Sequence, residues 1–540
     1  MKQHVLAALI SAAFASSANA QLTGPSSSAS PYVTATAPGW SVTSLLTVGD
    51  SVNLKPNGTP YRMVGIADGL GAFDNGNNTF TVLMNHELGA TAGIVRAHGS
   101  TGGFVSEWVI NKSTLQVLSG RDLITDHQVW DNVANTYKSA IGLAWSAGTN
   151  QYIAGTTANS FARLCSADLP AVSAFFNAKT GLGTQTRIFM SGEETGAEGR
   201  AYASIVTGAD KGKSFELNKM GKFSWENSLA NPYSGDKTVV IGTDDSTPGQ
   251  VMIYTGTKTA VGTDIERAGL TNGALRGVKV NVAAAQGGLN GNIEQGQING
   301  AFSTVALNTN VSGANQQIAA RTAGITEFAR PEDGHWANAN TFYFVTTGAT
   351  PGNGVTVTQS SRLYKLSFAQ GVNGVDFDNG TVSMVLDSVG LVGKDGATAR
   401  TFDNMTVADD GTILLQEDPG GNAYIAKTWH YDPVSKKTTQ ILESDRNRYL
   451  AGAPGFQTID EESSGVIEVT SVLGRADGKR HFLGVMQAHY GIAGELVEGG
   501  QLYMFSDVSA VPEPSSYALM FGGLGLVAWM ARRRKTARGD

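Results

Sequence analysis

Seven short motifs rich in carboxylates and amides lie along the middle of this chain of 540 residues. Each lies near an apolar run that predicts a β-strand, so each can place a carboxylate where a strand ends. Strand ends brought together around one axis form a pocket, and a pocket lined with many carboxylates requires bound cations. The motifs are Asn85-His86-Glu87, Gly192-Glu193-Glu194, Trp225-Glu226-Asn227, Asp244-Asp245, Arg330-Pro331-Glu332-Asp333, Phe402-Asp403-Asn404 and Gln416-Glu417-Asp418.

Several acidic residues of these motifs have aromatic or apolar neighbours rather than other charges: Glu226 follows Trp225, and Glu87 and Glu417 come soon after apolar runs. A buried carboxylate without a partner would become neutral, so a group of them indicates Ca²⁺, which binds many oxygen ligands. Neighbours on a strand face opposite sides, so only one of Glu193 and Glu194 can enter a shared pocket from a strand, whereas both can from a loop. The alternative is that these acids lie in solvated turns.

Two single residues accompany the acidic motifs. Cys165 is the only cysteine and cannot form an internal disulfide, so it is either an inert buried residue or a ligand or nucleophile. Arg330 precedes Pro331, which predicts an extended backbone, and it lies two residues from Glu332. A guanidinium beside metal-binding carboxylates is suited to bidentate binding of a phosphate, and the alternative is an ordinary salt bridge with Glu332.

The composition predicts a strand-rich fold. Glycine is frequent at 67 residues, only 16% of residues are charged, and short apolar runs alternate with turn residues, which suits a sandwich, barrel or propeller. A hairpin with strands at 428–431 and 438–442 is typical of a propeller blade. Further strands are predicted at 79–85, 104–110, 239–241, 251–254, 341–345 and 361–366. Residues 40–510 are expected to form one domain, with a flexible leader at 21–39 and an insertion near 256–315 that is a lid or a decorated loop.

Both ends of the chain are predicted to be targeting segments. Residues 1–20 have a basic Lys2, an apolar stretch and a small-residue cleavage site, which predicts a secretory signal peptide. Residues 511–540 contain Val-Pro-Glu-Pro, an apolar segment at 517–531 and a basic cluster at 532–535. This order resembles the PEP-CTERM sorting signal, which implies processing by an exosortase and passage of the mature protein to the envelope or surface of a Gram-negative bacterium. The alternative is a plain C-terminal membrane anchor.

Charge and motif searches exclude several functions. The net charge is −7, and removal of the net-basic ends makes the mature chain more acidic, which argues against nucleic acid as a partner. Residues 208–214 look like a phosphate-binding loop but are one residue short of the required spacing. There is no G-x-S-x-G motif for a hydrolase serine and no zinc-finger spacing.

The order of the motifs, from Asn-His-Glu through Cys, Glu-Glu, aromatic-Glu, Asp-Asp and Arg-Pro-Glu to Asp-Asn, resembles the PhoX-type alkaline phosphatases. The resemblance runs from about residue 61 to 418, and it implies an exported all-β enzyme, a β-propeller of about six blades with loop insertions, whose site holds iron and calcium. By this resemblance, Cys165 matches a thiolate that bridges iron, and Arg330 matches the catalytic arginine that binds the substrate phosphate. The implied metal ligands are Glu87, Glu193 or Glu194, Glu226, Asp245, Glu332, and Asp403 with Glu417 or Asp418.

We therefore expect an exported, metal-dependent phosphoesterase that acts on phosphate monoesters of small molecules. The expected cofactors are Ca²⁺ and, depending on Cys165, Fe³⁺. The expected partners are an exosortase and, transiently, the inner membrane through residues 517–531, and the protein is expected to be a monomer in the periplasm, outer envelope or cell surface. The alternatives are a non-catalytic, calcium-stabilised surface propeller of the exopolysaccharide matrix and a metal-dependent lactonase or sugar-ester hydrolase.

Overall fold

The computed structural model describes residues 21–155, 159–281, 288–372 and 374–507. The predicted signal peptide at 1–20 and the sorting segment at 511–540, including the apolar stretch 517–531, lie outside these residues. Among the described residues, every helix is too short or too polar to cross a membrane.

Strands dominate the described chain. The first nineteen are β1 (Gln21–Thr23), β2 (Val33–Ala35), β3 (Trp40–Thr47), β4 (Ser51–Leu54), β5 (Pro60–Arg62), β6 (Ala67–Asp74), β7 (Thr79–His86), β8 (Phe104–Asn111), β9 (Val117–Asp122), β10 (Asp126–Asp131), β11 (Thr136–Ser139), β12 (Leu143–Ser146), β13 (Gln151–Ala154), β14 (Leu164–Asp168), β15 (Phe176–Asn177), β16 (Leu182–Gly183), β17 (Ile188–Glu193), β18 (Ala201–Ile205) and β19 (Lys213–Glu216).

The second half continues in the same way. Its strands are β20 (Trp225–Ala230), β21 (Lys237–Asp244), β22 (Gly249–Thr257), β23 (Ala274–Val280), β24 (Leu289–Asn290), β25 (Ile293–Glu294), β26 (Asn299–Ala306), β27 (Glu327–Phe328), β28 (Pro331–Asn338), β29 (Thr341–Thr346), β30 (Arg362–Gly371), β31 (Gly374–Asp387), β32 (Phe402–Val407), β33 (Ile413–Glu417), β34 (Lys427–Asp432), β35 (Lys437–Ser444), β36 (Glu461–Glu468), β37 (Arg480–Ile492) and β38 (Val497–Asp507). The α-helices are α1 (Asp264–Arg267), α2 (Gly313–Ala323), α3 (Arg446–Tyr449) and α4 (Thr470–Leu473).

Within the described residues, the strand pairing defines six antiparallel four-stranded units. They are the first unit (β6–β9), the second (β14 and β17–β19), the third (β20–β23), the fourth (β28–β31), the fifth (β32–β35) and the sixth (β36–β38 with β3). The first strands of successive units pack side by side, and β36 packs beside β6, so the units close into a ring. The predicted all-β propeller is therefore confirmed, and each strand predicted above lies within or overlaps an observed one.

The core lies between the units, because the sheet of each unit packs against both of its neighbours. Alternation along β21 illustrates this arrangement: Val240 packs toward the second unit, whereas Val239 and Ile241 pack toward the fourth. An apolar cluster fills each of the spaces between neighbouring units, including the one between the sixth and the first. Sheets buried on both faces hold their first strands rigidly around the central axis.

The ring closes by pairing the two ends of the described chain. Strand β3 pairs antiparallel with β38, and the short β1 adds to β3 in parallel. Strand β2 pairs with β35 of the fifth unit. Residues 21–39 therefore supply two strands rather than the predicted flexible leader, because unpaired edges of the fifth and sixth units offer backbone groups that this segment satisfies.

The region predicted as an insertion near 256–315 is only partly additional to the ring. Strand β23 is the fourth strand of the third unit, and β26 joins β23 to β31 of the fourth unit. The Gly- and Ala-rich composition concealed these strands, since their alternating pattern is weak. The third and fourth units thus form one continuous sheet.

We predict that Phe505→Ala lowers the free energy of unfolding by about 3–5 kcal/mol, because it leaves a cavity at the ring closure. Phe505 is fully buried on β38, and its ring lies 5.2 Å from that of Phe482 and 5.9 Å from that of Trp40, which belongs to β3. Chemical denaturation followed by circular dichroism measures the change.

Val434→Ala is the matched control, since Val434 is 93% exposed in a turn and its truncation should change the free energy by less than about 0.5 kcal/mol. Equal stability of the Phe505 variant and this control would contradict the assignment of Phe505 to the closing contact.

Candidate metal centre

One buried polar side chain enters the centre of the ring from each unit. In all six units it is the second residue of the first strand, so it lies at the same end of the ring axis. We call this set the inner ring; its members, all buried, are Asp68, Cys165, Glu226, Glu332, Asp403 and Glu462. Six strands that run in the same sense around one axis bring these residues together, although they are far apart in the chain.

A second set of side chains surrounds the inner ring. Each member comes directly after the last residue of a unit's second strand that pairs with the first strand. We call this set the outer ring; its members are Glu87, Glu194, Asp245, Thr347, Asp418 and His489. In every unit the backbone N–H of the outer-ring residue donates to the carbonyl of the residue just before the first strand, at 2.8–3.0 Å. This repeated hydrogen bond shows that the six units use one local geometry.

Local backbone features turn the inner-ring side chains toward the axis. In the first five units the pairing register between the first and second strands shifts at the inner-ring residue. Such bulges redirect a side chain. Four residues that precede a first strand have a left-handed φ: Ile66 at 48°, Arg163 at 48°, Arg330 at 62° and Thr401 at 49°. The expectation of an extended Arg330 is therefore wrong, because the turn into the strand requires positive φ despite Pro331.

Among the residues that the structure describes, three groups of ligand atoms are close enough to hold a cation. They are Asp68 with Glu87 and Cys165; Cys165 with Glu194 and Glu226; and Glu226 with Glu332 and Asp403. Within each group the ligand atoms lie within 4.8 Å of one another, and Cys165 and Glu226 each belong to two groups. The groups therefore adjoin one another, as they would in a centre with several cations.

The electrostatics of the inner ring favour bound cations. Burial raises the pKa of Asp68, Glu226, Glu332 and Asp403 well above the usual range, and neighbouring carboxylates raise it further. Burial also raises the pKa of the Cys165 thiol, as does the nearby Asp68. Burial and mutual repulsion thus favour the neutral forms of these groups, whereas a bound cation favours their charged, ligating forms.

The donor set fits metal ions. Glu226 Oε1 is buried and has no hydrogen-bond partner among the described residues, as expected for an oxygen reserved for a cation. Clustered carboxylate oxygens suit calcium, and a thiolate suits a softer ion such as iron. Neutral side chains hold the ligands in place: Gln487 Nε2 donates to Asp68 Oδ2 at 3.2 Å and to Glu462 Oε1 at 3.2 Å, and Ser464 Oγ donates to Asp68 Oδ1 at 2.8 Å.

Two arginines flank the rings at equivalent positions of the second and fourth units. Arg330 donates through Nε and Nη2 to both oxygens of Asp245, at 2.8 and 2.7 Å, and its Nη2 lies 3.2 Å from Glu332 Oε1. Arg163 pairs with Glu87 at 2.6 Å and also with Glu194. The Arg330 side chain remains 32% exposed, so its guanidinium is accessible from solvent. Glu332 and Asp245 raise the pKa of Arg330, which keeps it charged.

Most of the residues predicted as ligands lie in the two rings. The inner ring contains the predicted Cys165, Glu226, Glu332 and Asp403, and the outer ring contains Glu87, Glu194, Asp245 and Asp418. The catalytic prediction, Arg330, borders both rings. Each adjacent acidic pair thus contributes one member, as strand alternation requires.

Two predicted ligands lie elsewhere, and this corrects the sequence-based set. Glu193 is the last residue of β17 and faces the interior of the second unit, where it accepts from Tyr202 Oη at 3.2 Å and from the Ala162 amide at 3.0 Å. Glu417, the last residue of β33, accepts from Trp429 Nε1 at 3.0 Å and the Lys427 amide at 2.9 Å. Glu194 and Asp418, the loop residues that follow these two strands, enter the centre instead.

Sequence reasoning missed five residues of the centre: Asp68, Glu462, Thr347, His489 and Arg163. Asp68 lies in a Gly-rich stretch without an acidic neighbour, and it was not recognised as a motif. The spacing of the acids could have identified Asp68, because the number of residues between Asp68 and Glu87 equals that between Glu226 and Asp245 in the third unit.

His489 of the outer ring is held by two glutamates. Its Nδ1 lies 2.7 Å from Glu498 Oε2, and hydrogen bonds to Glu462 and Glu498 outweigh burial and raise the pKa of His489 to about 11.

The fold and the centre together define a class: β-propeller proteins with a buried acidic centre at one end of the ring. A family model described as alkaline phosphatase PhoX matches residues 208–488, more than half of the chain. The chain therefore belongs to the PhoX alkaline phosphatase family and is a phosphatase of that family. The PEP-CTERM protein-sorting motif matches residues 510–535, which indicates an exported cell-envelope protein of a Gram-negative bacterium and implies processing by an exosortase.

A solved structure of a PhoX protein has the same fold. PhoX of Pseudomonas fluorescens, in complex with the transition-state analogue vanadate, matches with a TM-score of 0.61 and 12% identity over 88% of this chain and 96% of that chain. A Trypanosoma rangeli sialidase has a TM-score of 0.34 at 10% identity, over 90% of this chain and 61% of that chain. A Synechocystis apocarotenoid oxygenase has 0.33 at 8% identity, over 81% and 88%. The TM-scores of the last two structures are too low to support any conclusion about this chain. No curated protein matches the sequence.

We predict that Glu226→Gln lowers the bound divalent metal by about one ion per chain, because Glu226 belongs to two ligand groups and a neutral amide is a weaker ligand. Elemental analysis of the dialysed protein by inductively coupled plasma mass spectrometry measures the change.

Glu417→Gln is the matched control, a buried glutamate at a strand end outside the rings. It should retain wild-type metal content while losing about 1–3 kcal/mol of stability, since the amide cannot accept all the hydrogen bonds that the carboxylate accepts. Loss of metal in both variants, or in neither, would contradict the assignment of Glu226 to the metal centre and of Glu417 to a position outside it.

Proposed function

We propose that the chain is an exported phosphoesterase that hydrolyses phosphate monoesters of small molecules at a calcium centre that also holds iron at Cys165. The observation that carries this proposal is the convergence of the inner ring beside an accessible arginine, Arg330. Membership of the PhoX family supports phosphatase chemistry, and the ring supplies a ligand set of the kind that such chemistry needs.

The inner and outer rings would divide the cations by ligand type. Glu226, Glu332 and Asp403 offer oxygen ligands that suit calcium. Cys165 offers sulfur between two groups of carboxylates, an arrangement suited to iron. When bound, such cations polarise the phosphoryl oxygens and neutralise their charge. Without them, the buried carboxylates would repel a phosphate dianion.

Arg330 is proposed to bind the phosphoryl group. Its planar guanidinium can donate two parallel hydrogen bonds to phosphate oxygens, and its charge stabilises the negative charge on those oxygens in the transition state. The pairing of Arg330 with Asp245 orients the guanidinium at the margin of the inner ring. A left-handed φ at Arg330 fixes the direction from which the side chain approaches.

The remaining features of the proposal concern location and assembly. We propose that residues 1–20 direct export as a signal peptide, that residues 517–531 contact the inner membrane transiently, and that the mature protein acts as a monomer in the periplasm, outer envelope or cell surface. Family membership favours this enzymatic function over the alternative of a non-catalytic, calcium-stabilised propeller of the exopolysaccharide matrix.

We predict that Arg330→Gln lowers kcat/KM for p-nitrophenyl phosphate by about 100-fold or more, because it removes a charged donor aimed at the developing charge. Steady-state kinetics of the metal-loaded protein, before and after chelation, measure the loss. Chelation of the wild type should abolish turnover, and added Ca²⁺, alone or together with iron, should restore it.

Arg62→Gln, which changes an exposed arginine of β5, should behave as the wild type. An Arg330 variant with wild-type kcat/KM would remove the proposed role, and a wild type that turns over no phosphate monoester with calcium or added iron would disprove the phosphoesterase proposal.

We predict that Cys165→Ser abolishes iron binding while calcium content stays close to that of the wild type, since only the thiolate favours the softer metal. Elemental analysis gives both metals in one sample, and a ligand-to-iron charge-transfer absorption band should disappear in parallel. A variant that retains its iron would show that the carboxylates hold iron without Cys165.

A further inference from the structure

A separate cavity opens beside Arg330, between the fourth and fifth units. Its volume is about 620 Å³, which lies within the range of small-molecule sites. Arg330 and Thr347 form its inner end, next to the inner ring, because the Thr347 hydroxyl donates to Glu332. Arg400 also lines it. We call this cavity the arginine pocket.

The arginine pocket differs from the rings in charge. Of the described residues that line it, none is acidic and two are arginines, in a protein with a net charge of −7. Many of the others carry hydroxyl groups, among them Ser361, Ser388 and Thr398. A positively charged, hydroxyl-rich cavity is complementary to an anionic or polyhydroxylated ligand.

The guanidinium group of Arg400 is available to bind an anion. Its guanidinium carbon lies 4.1 Å from the centroid of the Tyr424 ring, and its side chain is exposed. In the part of the chain that the structure describes, no carboxylate lies within 4 Å of the Arg400 guanidinium, whereas Arg330 is paired with Asp245. Stacking on an aromatic ring fixes the planar group and leaves its N–H donors for a ligand.

Hydrogen bonds connect the pocket wall rigidly to the metal centre. Ser361 Oγ donates to the Thr347 carbonyl at 2.5 Å and accepts from the Phe402 amide at 3.2 Å. Phe402 immediately precedes Asp403 of the inner ring. A ligand in the pocket would therefore have a fixed position relative to a phosphoryl group at Arg330.

We propose that the arginine pocket binds the alcohol portion of the substrate and that Arg400 recognises a second anionic group on it. The preferred substrates are then phosphate monoesters whose alcohol carries a carboxylate or a further phosphate. This inference rests on the proposed phosphoesterase function, since it assigns the phosphoryl group that is hydrolysed to Arg330 and the remainder of the molecule to the pocket.

The test compares phenyl phosphate with 4-carboxyphenyl phosphate and 1,4-phenylene bisphosphate, which share the aryl ring and differ in the second anion. In the wild type, KM should be about 10-fold lower for the substrates with the second anion, as expected for one charge-assisted hydrogen-bonded contact. The two anionic substrates distinguish recognition of a carboxylate from that of a phosphate. Arg400→Gln should bring the KM ratio close to one, and the control Arg62→Gln, outside the pocket, should retain the wild-type ratio.

Binding supplies a readout independent of turnover. Calorimetry should show that the wild type binds the product 4-hydroxybenzoate more tightly than phenol, and that Arg400→Gln loses this difference. A wild type without preference for the second anion, or an Arg400 variant that keeps the preference, would overturn the inference. If no ester is hydrolysed, the proposed phosphoesterase function fails. Binding of 4-hydroxybenzoate then tests the role of Arg400 separately: binding that depends on Arg400 supports the inference about the arginine pocket, and binding that does not depend on Arg400 disproves it.

Discussion

Repulsion among buried carboxylates is the interaction that constrains the rest of this structure. Closing six units into a ring brings Asp68, Glu226, Glu332, Asp403 and Glu462 to one end of the axis, away from bulk water. At separations of a few ångströms in a medium of reduced dielectric, like charges cost several kcal/mol per pair. The fold can keep these acids only if protons, cations or guanidinium groups compensate them, and the rest of the centre reflects that requirement.

The chain itself provides part of the compensation. Arg163 bridges Glu87 and Glu194 on one side of the rings, and Arg330 pairs with Asp245 on another. Both arginines occupy the position just before a first strand, where a left-handed φ lets the side chain reach over the ring. The inner ring has no such internal cation at Glu226, whose Oε1 has no partner among the described residues. Metal ions are the natural complement at that point.

The same six-fold geometry produces two neighbouring surfaces of opposite character. Around the axis, strand starts place acids and a thiol together, which attracts cations. Between the fourth and fifth units, loops place Arg330 and Arg400 along a cavity whose described lining residues include no acid. Arg330 belongs to both surfaces, because it pairs with Asp245 of the outer ring and also lines the arginine pocket. An anionic substrate could thus contact the cations with one end and the pocket with the other.

Much of the fold was predictable from local sequence. The strands predicted at 341–345 and 361–366 and the hairpin predicted at 428–442 match observed strands. The Ser- and Pro-rich composition of residues 21–39 favours disorder, but β2 pairs with β35, more than 400 residues away in the chain, and β1 pairs with β3, whose own partner is the distant β38. Strand β23 was hidden by a Gly-rich region. Long-range pairing, rather than local propensity, decided both cases.

For the centre, the sequence by itself determined the inventory: the acidic motifs, a lone cysteine, Arg330 next to Pro331, and the family to which they belong. Residue types and their order are properties of the chain that do not depend on its fold. Only the tertiary structure decided which member of each pair enters the ring, since Glu194 rather than Glu193 and Asp418 rather than Glu417 lie beyond the strand ends. It also added Asp68 and Glu462, because membership depends on position around a closed axis and not on neighbours in sequence.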